Sequence, residues 1–248
     1  MKKKDEMLFG FHSIIEAIKS NKTFEKIFIK KGLQGDLFQE CFKLIRDADI
    51  PFQYVPIQKL NRITRASHQG IIALTSSIEY HDISIVLPGI YEAGKDPLIL
   101  VLDGITDIRN FGAIARSAEA AGVDAIVIAR KGAAIINADA IKTSAGALNR
   151  IPVCRVESIG DTLKFLTDSG IVTIGASEKA ENKYHDINMD TPLAVVMGAE
   201  DKGLSYESLK YVEQLIKIPM IGKVSSLNVS VATGIILFEA VRQRLSSI

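Results

Sequence analysis

From Pro97 onward the chain alternates short, uninterrupted apolar runs with longer segments of helical periodicity, and that alternation admits few folds. The runs are LILVLD (98–103), AIVIA (125–129), IVTIGAS (171–177), LAVVMG (193–198) and QLIKIPM (214–220). A strand with one face in water alternates apolar and polar residues. Strands that are apolar throughout need cover on both faces, as in a parallel sheet between two helical layers. Residues 97–248 are therefore expected to form a parallel-sheet α/β domain. The last helix, over 228–244, is apolar at Val229, Val231, Ala232, Ile235, Ile236, Phe238, Ala240 and Val241. This is wider than one sheet face requires, so burial on two sides is implied, either at the centre of a core or at a subunit interface.

The preceding residues read as a second, smaller α/β unit over 1–76. Helical GFHSIIEAIKS, LFQECFKLIRDAD and IQKLNRIT alternate with strand-like EKIFIK, PFQYV and GIIALTSS. Between about 77 and 97 the pattern loosens into a stretch with two prolines, two glycines and scattered charges, and residues 77–96 are expected to be a linker. Residues 1–78 carry 13 Lys+Arg against 8 Asp+Glu, whereas the remainder carries 17 against 21. The overall charge of +1 thus hides a basic first part suited to a polyanion and an acidic second part. No apolar run has the length of a membrane span, and no signal-peptide hydrophobic region follows the basic start, so a cytoplasmic location without membrane contact is expected. Cys41 and Cys154 lack CxxC or Cys/His spacing, which points to free buried thiols and to no metal.

Three stretches in the second part stand out: LDGITDIRNFGAIARSAEAAG (102–122), LAVVMGAEDKGLS (193–205) and IPMIGKVSSLNVSVATGIILFEAVRQR (218–244). Each is a strand end followed by a polar turn, and two continue into apolar helices. Asn110 sits where a helix N-cap belongs, and capping is by itself a sufficient structural role. Arg116 lies among small apolar residues of the same helix, where a guanidinium needs a partner or a cleft that receives an anion. Gly198 permits close backbone approach, while Glu200 is an ordinary surface carboxylate by position alone. Ser226 and Asn228 are both suited to capping the last helix. No GxGxxG phosphate loop follows the first strand, which weighs against a dinucleotide enzyme.

The order and wording of these stretches resemble the three motifs of the SpoU/TrmH branch of the SPOUT RNA methyltransferases, with NFGAIAR matching the Asn-x-Gly-x-x-x-Arg signature. The resemblance implies a C-terminal trefoil knot, S-adenosylmethionine as methyl donor, and transfer to a ribose 2′-hydroxyl of RNA. It implies Arg116 as the principal catalytic residue, supported by Asn110, Glu200 and Asn228. It also implies a donor pocket made by Ala176, Ser177, Met197, Gly198, Ile218, Met220, Ser226, Leu227 and Asn228. Enzymes of this branch are homodimers packed through the knot and the C-terminal helix, so the same is expected here.

GFHSIIEAI (10–18) and HQGIIAL (68–74) are similar to the L30e-like substrate-binding domain carried by a subset of this family. RNA contacts are expected at Lys30, Lys31, Arg62, Arg65 and His68, with Arg65 and His68 near the turn before a strand, where side chains can reach outward; a lone histidine such as His12 or His68 is otherwise a structural hydrogen-bonder. The combination is most similar to members that modify a guanosine ribose of large-subunit (23S) rRNA. A tRNA target within the same family is the nearest rival. A non-catalytic RNA-binding or ribosome-assembly factor with the same fold is the rival from another class.

Overall fold

The computed structural model describes residues 7–246, which divide into two compact units. The first comprises the chain up to Glu79 together with Ile135–Asn137; the second comprises Tyr80–Ala134 and the chain from Ala138 onward.

In the first unit the order is β1 (Met7–Phe9), α1 (Phe11–Lys19), β2 (Phe24–Lys30), α2 (Asp36–Asp47), β3 (Phe52–Val55), α3 (Ile57–Ile63) and β4 (Ile71–Thr75). The strands form a sheet in the order β1-β4-β2-β3, antiparallel except for the β2–β3 pair. Alternate residues of β2 explain the layering. Ile27 and Ile29 point into one cluster with Ile14, Cys41 and Ile45 of α1 and α2, whereas Phe28 points oppositely, to Val55, Leu60 and Ile72.

The second unit contains β5 (Tyr80–His81), α4 (Ile83–Glu92), β6 (Leu98–Asp103), α5 (Ile108–Ala120), β7 (Ala125–Ala129), α6 (Ala138–Thr143), β8 (Val153–Val156) and α7 (Ile159–Asp168). It continues through β9 (Val172–Ala176), β10 (Asn182–Lys183), β11 (Leu193–Gly198), α8 (Tyr206–Tyr211), β12 (Gln214–Lys217) and α9 (Val229–Ser246). Its sheet runs β10-β12-β9-β11-β6-β7-β8-β5, and every pairing in it is parallel. Ile99, Val101, Val127, Ala194 and Val196 share one cluster with residues of α4 and α7. Residues of the other parity, such as Leu100, Ile126 and Val195, are equally buried. Both faces are covered, with α9 packed along α5 and against β11.

Two local features depart from the sequence reading. Within 77–96, expected to be a linker, β5 pairs with β8 and α4 buries Ile83, Leu87 and Ile90 in the core of the second unit. The helix begins with Asp82, whose Oδ1 accepts from Ser84 N at 2.9 Å. Pro88 lies within the helix and, with Gly89 and Gly94, gave the stretch its loop-like composition. The short strands β1, β8 and β10 were also not distinguished from their surroundings. Among the described residues no helix is long and apolar enough to cross a membrane.

Candidate active site at the carboxyl ends of the central strands

Because β6, β11, β9 and β12 are parallel and adjacent, their carboxyl ends share one edge of the sheet. Asp103, Gly198, Ala176 and Lys217 end them, and the three sequence stretches supply the turns that follow. Open parallel sheets bind ligands in the crevice at this edge. Here a cavity of about 410 Å³ is lined by Ala176, Ser177, Met197, Gly198, Ile218, Met220, Ser226 and Leu227, and also by Ile216 and the 199–204 loop. Asn228, the remaining residue expected in that pocket, directs its side chain to a polar node beside it.

At that node Asn228 Nδ2 donates to Glu200 Oε1 at 2.7 Å and to Asn110 Oδ1 at 3.0 Å. Asn228 Oδ1 accepts from Ser230 N at 2.9 Å, which makes Asn228 the cap of α9. Glu200 Oε1 also lies 3.4 Å from Val229 N, at the same helix start. Residues from all three stretches are thus joined through one amide. Asn110 is not the cap of α5: Asp107 fills that role, its Oδ1 accepting from Arg109 N at 2.9 Å and Asn110 N at 2.8 Å. The sequence reading chose the wrong one of two good capping residues three positions apart. The correction matters, since Asn110 is thereby released to face Asn228.

Arg116 is exposed and has no hydrogen bond or ion pair among the described residues. Six residues separate it from Asn110, which places the two roughly 120° apart around the helix. Arg116 instead shares an exposed stripe with Arg109, seven residues earlier. The structure therefore assembles Asn110, Glu200 and Asn228 without drawing Arg116 into contact with them. Arg116 is thus part of no structural ion pair among the described residues.

Asp103 escaped the sequence reading. Its Oδ2 accepts from Ser205 N and from Ser208 Oγ, both at 2.7 Å. A carboxylate closing an otherwise apolar strand was the available signal.

In the first unit the antiparallel β2–β4 pair brings the end of β2 beside the start of β4. Lys30 and Lys31 are exposed there, and Lys30 N donates to Gly70 O at 2.8 Å. Arg62, in the last turn of α3, and Arg65, between α3 and β4, are exposed. The 10–12 and 68–70 segments also meet, Phe11 N donating to Gln69 Oε1 at 3.2 Å. His68 differs from its expected outward role: it is buried, with Nε2 2.9 Å from Asn61 Oδ1 and Nδ1 accepting from Gly70 N at 3.0 Å. Both ring nitrogens are used in shaping the turn into β4. Among the described residues no cluster of three His, Cys, Asp or Glu is placed to hold a metal ion.

With this geometry in view, comparison with known proteins identifies the class. Residues 97–238 match the SpoU rRNA Methylase family, and residues 7–81 match the family described as RNA 2'-O ribose methyltransferase substrate binding. The chain belongs to the SpoU rRNA methylase family. It is 38% identical to a 23S rRNA (guanosine-2'-O-)-methyltransferase, RlmB, of Photobacterium profundum, over 97% of this chain and 98% of that one. It is 33% identical to the putative TrmH family tRNA/rRNA methyltransferase YacO of Bacillus subtilis, over 98% of each chain. Among solved structures, the SpoU methyltransferase AviRb of Streptomyces viridochromogenes, in complex with the cofactor AdoMet, aligns with a TM-score of 0.62 and 25% identity, covering 97% of this chain and 90% of that one.

Proposed function

We propose that this protein transfers a methyl group from S-adenosylmethionine to the 2′-hydroxyl of a guanosine ribose in 23S rRNA. One observation carries the reading: a cavity of ligand size adjoins the Asn110–Glu200–Asn228 node, in a chain that is 38% identical over nearly its whole length to a 23S rRNA guanosine methyltransferase.

The residues present fit the donor. A cavity of about 410 Å³ is in the range of small-molecule sites. Met197, Ile216 and Leu227 offer an apolar wall for a purine, while Glu178, Glu200 and Asp201 bring carboxylates suited to a cationic ligand. Ala176, Ser177, Gly198, Ile218, Met220 and Ser226 complete the enclosure, with Asn228 at its edge. When bound, S-adenosylmethionine supplies a methyl group already activated by its sulfonium. What remains for the protein is alignment of the ribose oxygen and management of its proton. A guanidinium offers donors only and is no base, so Arg116 is not assigned that role. Its N–H groups orient the ribose hydroxyl and stabilise developing negative charge, with the neighbouring phosphate as proton acceptor. Asn228 fixes Glu200 and Asn110 so that the turns around the pocket keep one arrangement.

The first unit, L30e-like in this reading, binds the RNA through Lys30, Lys31, Arg62 and Arg65. The second unit carries the chemistry, its C-terminal segment forming the trefoil knot of the family. The path after β12 supports this: from beyond β9 in the sheet, the chain returns to lay α9 on α5 and β11. A homodimer through α9 accounts for Val231, Phe238 and Leu245, which share one stripe and are 51%, 50% and 66% exposed in a single chain. The protein works in the cytoplasm, where its RNA is.

The test is transfer of labelled methyl from S-adenosylmethionine to unmodified 23S rRNA and to tRNA, with the product located by mass spectrometry. Label on a guanosine ribose of 23S rRNA is expected from the wild type and not from Arg116→Ala. Label on tRNA alone would transfer the reading to the sister activity. Absence of label on any RNA or ribosomal particle would point to a binding factor.

A further inference from the structure

Asp103 closes β6 directly opposite Gly198, the last residue of β11. Its carboxylate then reaches past the loop that follows Gly198. Asp103 Oδ2 accepts from the amide of Ser205, the cap of α8, and from the hydroxyl of Ser208, each at 2.7 Å. Ser208 is wholly buried, and no cation pairs with Asp103 among the described residues. Both contacts are short, charge-assisted bonds.

The loop between these anchors is narrow at its neck. Ala199 N donates to Gly203 O at 3.0 Å and Gly203 N to Ala199 O at 2.8 Å, so residues 199–203 form a small closed turn that includes Glu200. The turn is also one wall of the cavity. Glu200 ties the far end of this turn to Asn228 and Val229 N at the start of α9. The fastening beyond the neck, from Ser205 and Ser208 to Asp103, ties its other side to the end of β6, so the turn is held from both sides.

We infer that Asp103 is a positioning residue for the reaction: by tying the start of α8 to the end of β6, it fixes the 199–204 wall of the donor pocket and the carboxylate of Glu200. The inference rests on reading the cavity as the S-adenosylmethionine site. Asp103 itself touches neither donor nor RNA; it acts through the loop. The competing account is that Asp103 only stabilises α8. That account moves the unfolding temperature and leaves the ligand affinity of the folded protein unchanged.

The experiment measures binding of S-adenosylmethionine by calorimetry to full-length wild type, Asp103→Ala, Asp103→Asn and Ser208→Ala. It is done well below each protein's unfolding temperature and paired with kcat and KM for methyl transfer. Asp103→Ala is expected to weaken binding about tenfold or more and to lower kcat as well, since two bonds to a charged acceptor are lost. Asp103→Asn, which keeps an acceptor oxygen in the same place, restores most of both. Ser208→Ala falls between. A folded Asp103→Ala protein with wild-type affinity and kcat overturns the inference. Should that variant not fold, unchanged affinity in Ser208→Ala overturns it instead. A wild type that neither binds the donor nor methylates RNA overturns the reading beneath it, a result separable from a wild type that does both alongside an indifferent Asp103→Ala.

Discussion

Asn228 donates its side-chain amide to Glu200 at 2.7 Å while its carbonyl oxygen caps α9 by accepting from Ser230 N at 2.9 Å. The two halves of one side chain thus serve different ends, and substitution separates them. Asn228→Asp keeps a good cap but sets a second carboxylate against Glu200. It is expected to lower methyl transfer about tenfold or more while leaving the helix capped. Asn228→Ala loses both functions and should cost about 1 kcal/mol of stability in addition. Paired kcat and thermal-unfolding measurements check this; equal activity in wild type and Asn228→Asp would show that the amide bond to Glu200 is idle.

Arg116 should behave in the opposite way. It is exposed and unpartnered among the described residues, so Arg116→Ala is expected to change stability by no more than about 0.5 kcal/mol. Methyl transfer should nevertheless fall by roughly two orders of magnitude or more, the range for loss of preorganised charge stabilisation. Arg116→Lys keeps the charge but not the planar fork, and is expected to remain impaired. Full activity in Arg116→Ala would remove it from the chemistry.

Much of the architecture is legible in the order of residues because buried parallel strands announce themselves. LILVLD, AIVIA and LAVVMG coincide with β6, β7 and β11, and their apolar continuity required cover on both faces. Short strands carry no such signal: β8 contains Arg155 within VCRV, and β10 has only two residues. Helix α4 was hidden by Pro88, although Ile83, Leu87 and Ile90 recur at helical spacing. In the site, residue types were legible and pairings were not. Asp107 and Asn110 are both good caps, and only the three-dimensional demand of Asn228 decides between them. His68 looked like an outward-facing side chain because nothing in HQG reveals that both ring nitrogens turn inward.

Gly198 tests how tightly the pocket wall is built. A Cβ there would lie 2.1 Å from the carbonyl carbon of Gly203 and 2.3 Å from the amide nitrogen of Leu204, both backbone atoms that cannot rotate aside. Gly198→Ala must therefore open the neck of the 199–203 turn. The expected results are a stability loss of about 1–3 kcal/mol and loss of S-adenosylmethionine binding, read by calorimetry on the folded protein. Retention of binding would mean that the wall tolerates a wider turn.

At the far end of α9, Arg244 donates to Asp96 O and Pro97 O at 3.0 Å each and to Thr191 O at 2.7 Å. It joins the approaches to β6 and β11, and burial draws its pKa below the usual arginine value. Arg244→Met keeps the aliphatic stem but takes the guanidinium from these carbonyls, of which Pro97 O keeps its bond from Leu193 N, at a cost of about 1–3 kcal/mol. A fall of several degrees in unfolding temperature is expected, with kcat nearly kept at low temperature. An unchanged unfolding temperature would mean that water replaces the guanidinium without loss.

The two thiols report on each unit separately. Cys41 lies in the core of the first unit and Cys154 in that of the second, both fully buried. Burial, reinforced by the negative charge of Glu40, pushes Cys41 up to about 11; burial with Asp82 nearby pushes Cys154 up to about 12. A thiol whose pKa is raised in the folded state is protonated in both states below the ordinary thiol value, so it costs no stability there. Above that value only the unfolded chain ionises, and stability falls as pH rises toward the folded values. Native protein at pH 8 is expected to leave both thiols unreacted with Ellman's reagent, and both should react once denaturant is added. Replacing either cysteine with alanine should flatten the loss of stability at alkaline pH. One thiol reacting promptly in the native state would show that its unit opens locally, without global unfolding.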